Sequence, residues 1–92
     1  MEQINEQLEE MLLRISEGNL YFKDFEHYYD LVKRVVEENL IDLPINYVDA
    51  LLHAEVNHED MDEAHDCIMK RQYLKDVIKP MLEKEESNDV VF

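Results

Sequence analysis

Between Arg34 and Lys70 the chain has no lysine and no arginine, yet ten carboxylates (Glu37, Glu38, Asp42, Asp49, Glu55, Glu59, Asp60, Asp62, Glu63 and Asp66) fall in that interval. Close pairs of like charges repel by up to about 1 kcal/mol in water, so a run without a compensating cation suggests a negative field with a use. That field repels nucleic acid and anionic lipid and attracts cationic protein surfaces. Direct nucleic-acid or membrane binding is not expected, and a basic protein surface is the expected partner. The plain alternative is an acid excess that only keeps a small protein soluble. The excess is uneven: residues 1–20 carry five acids and one base, 21–43 six and three, 44–66 seven and none, and 67–92 five and five, for a net charge of −14.

Other shortages narrow the class. The single Cys67 permits no internal disulfide, and with four histidines well apart it makes no zinc-ligand spacing, so a reducing, cytoplasmic location is expected. The opening Met1-Glu2-Gln3-Ile4-Asn5-Glu6 is neither cationic nor followed by a long apolar run, and neither signal peptide nor membrane span is expected. Glycine occurs once and proline twice, leaving few places for helices to break. Apolar content is ordinary for a folded domain, and 92 residues suffice for one small core.

The apolar spacing predicts an all-α, compact bundle of three to four helices. Ile4, Leu8, Met11, Leu12 and Ile15 mark a helix over 2–17, with Gly18 just past its end. Asn19 is a candidate cap for a second helix over 20–39, whose Phe22, Phe25, Tyr29, Val32 and Val36 seam is widened by Tyr21, Tyr28 and Val35. Pro44 opens a third, 45–56, on Ile45, Val48, Leu52 and Val56. Asn57 or His58 is a candidate cap for a fourth, 58–79, on Ala64, Cys67, Leu74, Ile78 and Met81, with Arg71 as a polar interruption. Helices three and four could also run on as one; a break at Asn57 is the preferred reading. Pro80 should end or kink the fourth. Residues 1–86 read as one helical domain and 87–92 as a tail, with Val90-Val91-Phe92 either strapped on the core or protruding.

Candidate chemistry is sparse. Asp24-Phe25-Glu26-His27 and Asp62-Glu63-Ala64-His65 each set a carboxylate and an imidazole one helical turn apart, the spacing of bundle di-metal sites. Those sites also need inward-facing glutamates from two further helices, and Asp24 and His27 fall off the apolar seam. No metal or cofactor is expected. Glu6-Gln7-Leu8-Glu9 with Glu59-Asp60-Met61-Asp62 or Glu63-Ala64-His65-Asp66 superficially resembles the ExxE and ExxD pairs of MazG-type nucleotide pyrophosphohydrolases, a resemblance that implies magnesium around a triphosphate. Here the halves lie too far apart, and no lysine near the second pair meets phosphate. Ser16 and Ser87 fall at a helix end and in the polar tail, Cys67 falls on the predicted buried seam, and no glycine-rich loop is present to make an oxyanion hole or cradle phosphate, so no enzyme is expected. His53, His58 and His65 lie among the densest acids, which favour their protonated forms.

What remains is the anionic surface itself. In a helix, Glu55, Glu59, Asp62 and Asp66 would form a stripe about 5–6 Å apart, a sparse imitation of a phosphate row. The composition is similar to that of phage and mobile-element inhibitors such as anti-CRISPR, anti-restriction and uracil-DNA glycosylase inhibitor proteins, a likeness of composition without an aligned motif. It implies an acidic helical inhibitor occupying the basic nucleic-acid-binding surface of a target enzyme through Glu55, Glu59, Asp60, Asp62, Glu63 and Asp66. The alternative is a helical adaptor, immunity or regulatory protein that binds through an apolar face, as a homodimer in one version, using Tyr21, Tyr28 and Tyr29 or Met11 and Met69. A small metal- or nucleotide-dependent hydrolase is the remote third. Lys70, Arg71, Lys75, Lys79 and Lys84 are expected to pair within the domain or between copies.

Overall fold

A computed structural model describes residues 2–18 and 20–83; Asn19, Lys84 and the Val90-Val91-Phe92 tail lie outside them. The first helix, α1 (Glu2–Glu17), forms on the expected seam, with Leu8 and Met11 in the core and Ile4, Leu12 and Ile15 at its margin. It stops at Gly18, whose φ of +69° is the left-handed conformation that a residue without Cβ takes at no steric cost.

The chain does not enter the next helix at once. Leu20–Tyr21 is extended (β1) and pairs in parallel with Val56–Asn57 (β2), Leu20 opposite Val56 and Tyr21 opposite Asn57. Helix α2 therefore spans Phe22–Glu37, shorter than 20–39, and Tyr21 is its N-cap residue without a side-chain cap. Phe22, Phe25, Tyr28, Tyr29, Leu31, Val32 and Val35 are buried along it, the wide apolar face that makes α2 the main core element. Tyr21, counted with that face from the spacing, instead stands 55 % exposed, because strand geometry turns it away from the side that Leu20 buries. The helix closes on Asn39 at φ 53°: Leu40 N–H donates to the Val35 carbonyl at 3.0 Å and Asn39 N–H to that of Val36 at 3.3 Å, the paired bonds of a Schellman cap.

Helix α3 (Ile45–Leu52) follows Pro44 and buries Val48 and Leu51. It is one turn shorter than the expected 45–56, since Val56 and Asn57 are taken into the strand pair and His53 is already the C-cap. Helix α4 (Met61–Tyr73) begins not at 58 but after Asp60, which supplies the cap expected of Asn57 or His58. Helices three and four are thus separate.

Pro80 does not end α4. A π turn, Leu74–Ile78, follows Tyr73, and helix continues through residues 79–83. Lys79 N–H donates to the Leu74 carbonyl, five residues back. A proline lacks the donor for an ordinary turn and its ring clashes with the carbonyl four residues earlier; the wider turn just before it relieves both. The inserted residue also rotates what comes after, so Leu82 packs on the core and Met81, assigned to the seam from its spacing, is exposed.

The result is an all-α bundle with one short parallel bridge. Arg14 on α1 meets Asp24 on α2 at 2.9 Å, and the Tyr28 hydroxyl donates to Glu10 at 3.2 Å, so α1 and α2 run antiparallel. Along α2 and α4 the contacts rise together in both sequences, Glu26 with Lys70 and Tyr29 with Tyr73, so these two helices run parallel. Helix α3 fills the remaining side against α1, α2 and the π turn.

Candidate protein-docking site

Because β1 and β2 are parallel and lead into α2 and α4, both helices start at the same end of the molecule. Each helix start carries a partial positive charge and unpaired N–H groups, and acids gather there. Asp60 Oδ1 accepts from Glu63 N–H at 2.9 Å, while Glu63 Oε1 accepts from Glu59 N–H at 2.9 Å, a reciprocal cap close to a capping box. Asp24, in the first turn of α2, is tied to Arg14.

Between the two helix starts lies a surface depression of about 270 Å³ lined by Tyr21, Phe22, Lys23, Asn57, Glu59 and Glu63. In the first turn of α4 Met61 is 84 % exposed, set between Asp60 and Asp62. An apolar anchor inside a charged rim is how protein–protein contacts are commonly built. Nothing in the composition singled out Met61 or the depression; the N-cap geometry that projects Met61 from the first turn was the missing information.

The six carboxylates expected to bind a partner do not form one helical stripe. Only residues 61–66 of the 55–66 segment are helical; Glu55 precedes β2 in irregular chain and Glu59 sits in the bend before the cap. Asp60 and Glu63 cap α4, and Asp66 pairs with Lys70 at 2.8 Å, where Glu26 also approaches at 3.8 Å. Among the described residues no hydrogen bond or ion pair engages the carboxylates of Glu55, Glu59 or Asp62. The four earlier carboxylates lie elsewhere. Glu37 ends α2 and accepts from the Tyr73 hydroxyl, Glu38 and Asp42 follow it, and Asp49 pairs with Lys79 at 2.9 Å. A helix of sixteen residues separates its two ends by about 24 Å, so the base-free interval splits into two acidic regions at opposite ends of α2.

Lys70, Arg71 and Lys79 are turned onto the domain, whereas Lys23, Arg34 and Lys75 are exposed. Burial pulls the Lys70 ammonium down, but Asp66 and Glu26 outweigh it and its pKa is raised overall; its Nζ also stands 5.5 Å from the Tyr29 ring. Lys79 is raised by its hydrogen bond to Asp49. Arg71, the polar interruption in the seam, donates to the carbonyl of Leu52 at 3.1 Å and to that of Ala54, while its guanidinium lies 5.7 Å from the centre of Phe25. It thereby closes the C-terminal end of α3, whose carbonyls attract cations. The expectation that these bases pair within the domain holds for Lys70, Arg71 and Lys79.

The metal pairs do not assemble. Asp24 is engaged by Arg14, and His27, Asp62 and His65 are exposed; among the described residues no three His, Cys, Asp or Glu side chains converge on one point. Cys67 is buried. Among the described residues no helix is long and apolar enough to cross a membrane. No protein-family model, curated protein or solved structure matches the chain.

Proposed function

We propose that this protein is an acidic helical inhibitor that docks the shared start of α2 and α4 onto the basic nucleic-acid-binding surface of a target enzyme. The observation that carries the reading is a depression lined by Glu59, Glu63 and the exposed Tyr21, next in the chain to the exposed Asp60, Met61 and Asp62, on a stretch with no lysine or arginine of its own between 35 and 69. Glu59 and Asp62 are free to receive lysine or arginine from a partner, while the capping carboxylates Asp60 and Glu63 are held in place and still present outward charge. Tyr21 and Met61 supply the apolar contact that fixes position, and Glu59 and Glu63 offer their charge to a partner cation from the wall of the depression, which Lys23 also lines. Surfaces able to balance so many acids are typical of grooves that hold phosphates, which makes a nucleic-acid-binding enzyme the partner of this chemistry.

The test is competition. The immobilised protein is offered proteins eluted from a heparin resin, and bound material is challenged with a short duplex oligonucleotide. The reading predicts release by the duplex and by added salt, and loss of capture on combined Glu59→Lys, Asp62→Lys and Glu55→Lys substitution, which spares the capping residues. Capture indifferent to duplex, salt and charge reversal would overturn it.

A further inference from the structure

Lys23 stands apart from the other bases. Arg14, Lys70 and Lys79 are in ion pairs, and Arg71 donates to the carbonyls that end α3. The Lys33 ammonium stands 5.2 Å from the centre of the Tyr73 ring, and Arg34 lies in the last turn of α2, where the helix carbonyls favour a cation. Lys75 is exposed but does not line the depression. Lys23 is exposed and does line it, and among the described residues it makes no side-chain hydrogen bond or ion pair. It is the second residue of α2, where the partial positive charge of the helix start disfavours a cation. Nothing in the fold therefore gains from its charge. Departures from a local rule without a compensating contact concentrate at functional positions.

We propose, building on the docking reading above, that Lys23 is the specificity-determining residue of the docking face: its ammonium takes a carboxylate with which the target enzyme holds a catalytic divalent cation. Lys23 shares the depression with Glu59 and Glu63 and pairs with neither, so one uncommitted positive charge stands inside an acidic face. A partner surface made of bases alone would be repelled at that point, and like charges pressed together in a contact cost affinity. Grooves that bind phosphates and also react them carry carboxylates among their bases, because phosphoryl transfer draws on metal ions held by aspartate or glutamate. Without the metal such acids repel one another, and a lysine relieves them with a compact charge on a flexible stem. Glu59 and Asp62 meet the bases around them. The target is thereby narrowed from any nucleic-acid-binding enzyme to one that makes or breaks phosphodiester bonds with a bound divalent cation, and this protein and that cation exclude one another.

The sign of one substitution decides. Lys23→Glu makes the docking face more acidic, so a field acting on bases alone would bind more tightly. The reverse is expected: for protein captured from the heparin eluate and released by duplex, Lys23→Glu weakens the affinity about 100-fold and Lys23→Met, which keeps an apolar stem, about tenfold. Neither lowers the melting temperature, since Lys23 has no side-chain partner within the domain and a helix start does not favour a cation. At an ionic strength that permits capture in sodium chloride alone, replacing part of the sodium chloride with millimolar magnesium chloride at the same ionic strength releases the captured protein, and this extra release shrinks on Lys23→Met, whose acids are untouched. Tighter or unchanged binding of Lys23→Glu, magnesium no more effective than sodium, or a magnesium effect equal on Lys23→Met would each overturn the proposal and leave the docking reading standing. Capture indifferent to duplex and salt would instead remove the docking reading, and the role of Lys23 with it.

Discussion

Helices α2 and α4 lie side by side and parallel, but they are held by different forces. Helix α2 drives seven side chains into the core, whereas α4 from Met61 to Tyr73 buries one, Cys67, before the π turn adds Leu74 and Ile78. What fixes α4 is largely polar: the Asp60 and Glu63 cap, Lys70 between Asp66 and Glu26, Arg71 on the carbonyls of α3, Lys79 on Asp49. Burial is non-directional and tolerant of surface change; polar ties depend on each partner and on charge state. A helix held in the second way leaves its outer side free, and that side carries most of the exposed apolar residues and the acids at its start.

Substitutions sharpen the contrast. Phe25→Ala, at the fully buried centre of α2, should cost about 3–5 kcal/mol, a large part of the ~5–15 kcal/mol total expected for a domain, and urea unfolding should show one cooperative loss of the whole fold. Arg71→Ala should cost about 2 kcal/mol from its two charge-assisted bonds, and hydrogen exchange should show the loss concentrated where α3 meets α4. Arg71→Lys should rescue it poorly, since one ammonium cannot copy a fork that reaches two carbonyls. If Arg71→Ala loosens α1 and α2 equally, the contrast fails. Asp60→Ala should cost about 1 kcal/mol, seen as a lowered melting temperature and fraying of the first turn of α4.

Alkaline titration tests the polar side as a group. The hydrogen bond from Tyr73 to Glu37 pushes the phenol up to about 12 from the ordinary 10.0, so the fold favours the protonated form. That contribution is complete below about pH 10 and is lost as pH rises from 10 towards 12. Lys70 and Lys79 are likewise raised, their charged forms favoured by Asp66 and Asp49, and they lose their contribution over the same alkaline range. Stability should therefore fall above about pH 10, and Tyr73→Phe should flatten that fall; an unchanged pH profile would separate Tyr73 from the stability of α4.

How much was legible follows the same division. The helical class and the core of α2 came from a 3,4,3,4 spacing of large apolar residues, a signal that tertiary contacts only reinforce. The end of α1 came from Gly18, a residue that accepts positive φ, whereas α2, carried to 39 by its spacing, ends at Glu37 with Asn39 taking the positive φ beyond it. The strand pair was not legible, because Leu20–Tyr21 and Val56–Asn57 are two residues each and acquire their extended form only from one another. The π turn was hidden too: Pro80 announced a disturbance, but whether helix stops or widens depends on Leu74, Ile78 and Leu82 finding the core. The acids of residues 37–66 read as one surface along the chain and became two when α2 separated their ends. Glu55 and Glu59, placed on a helical stripe by spacing, left it when α3 ended at Leu52 and Asp60 rather than Asn57 became the cap of α4.

The most direct test of the docking site is the salt dependence of the captured enzyme's affinity, measured between about 0.05 and 0.2 M monovalent salt. For the natural chain the logarithm of the affinity should fall steeply with the logarithm of the salt concentration, and neutralising Glu59 and Asp62 to glutamine should make the slope shallower while lowering the affinity. An affinity that is flat across that range, or a slope untouched by the two substitutions, would contradict an electrostatic contact at the start of α4.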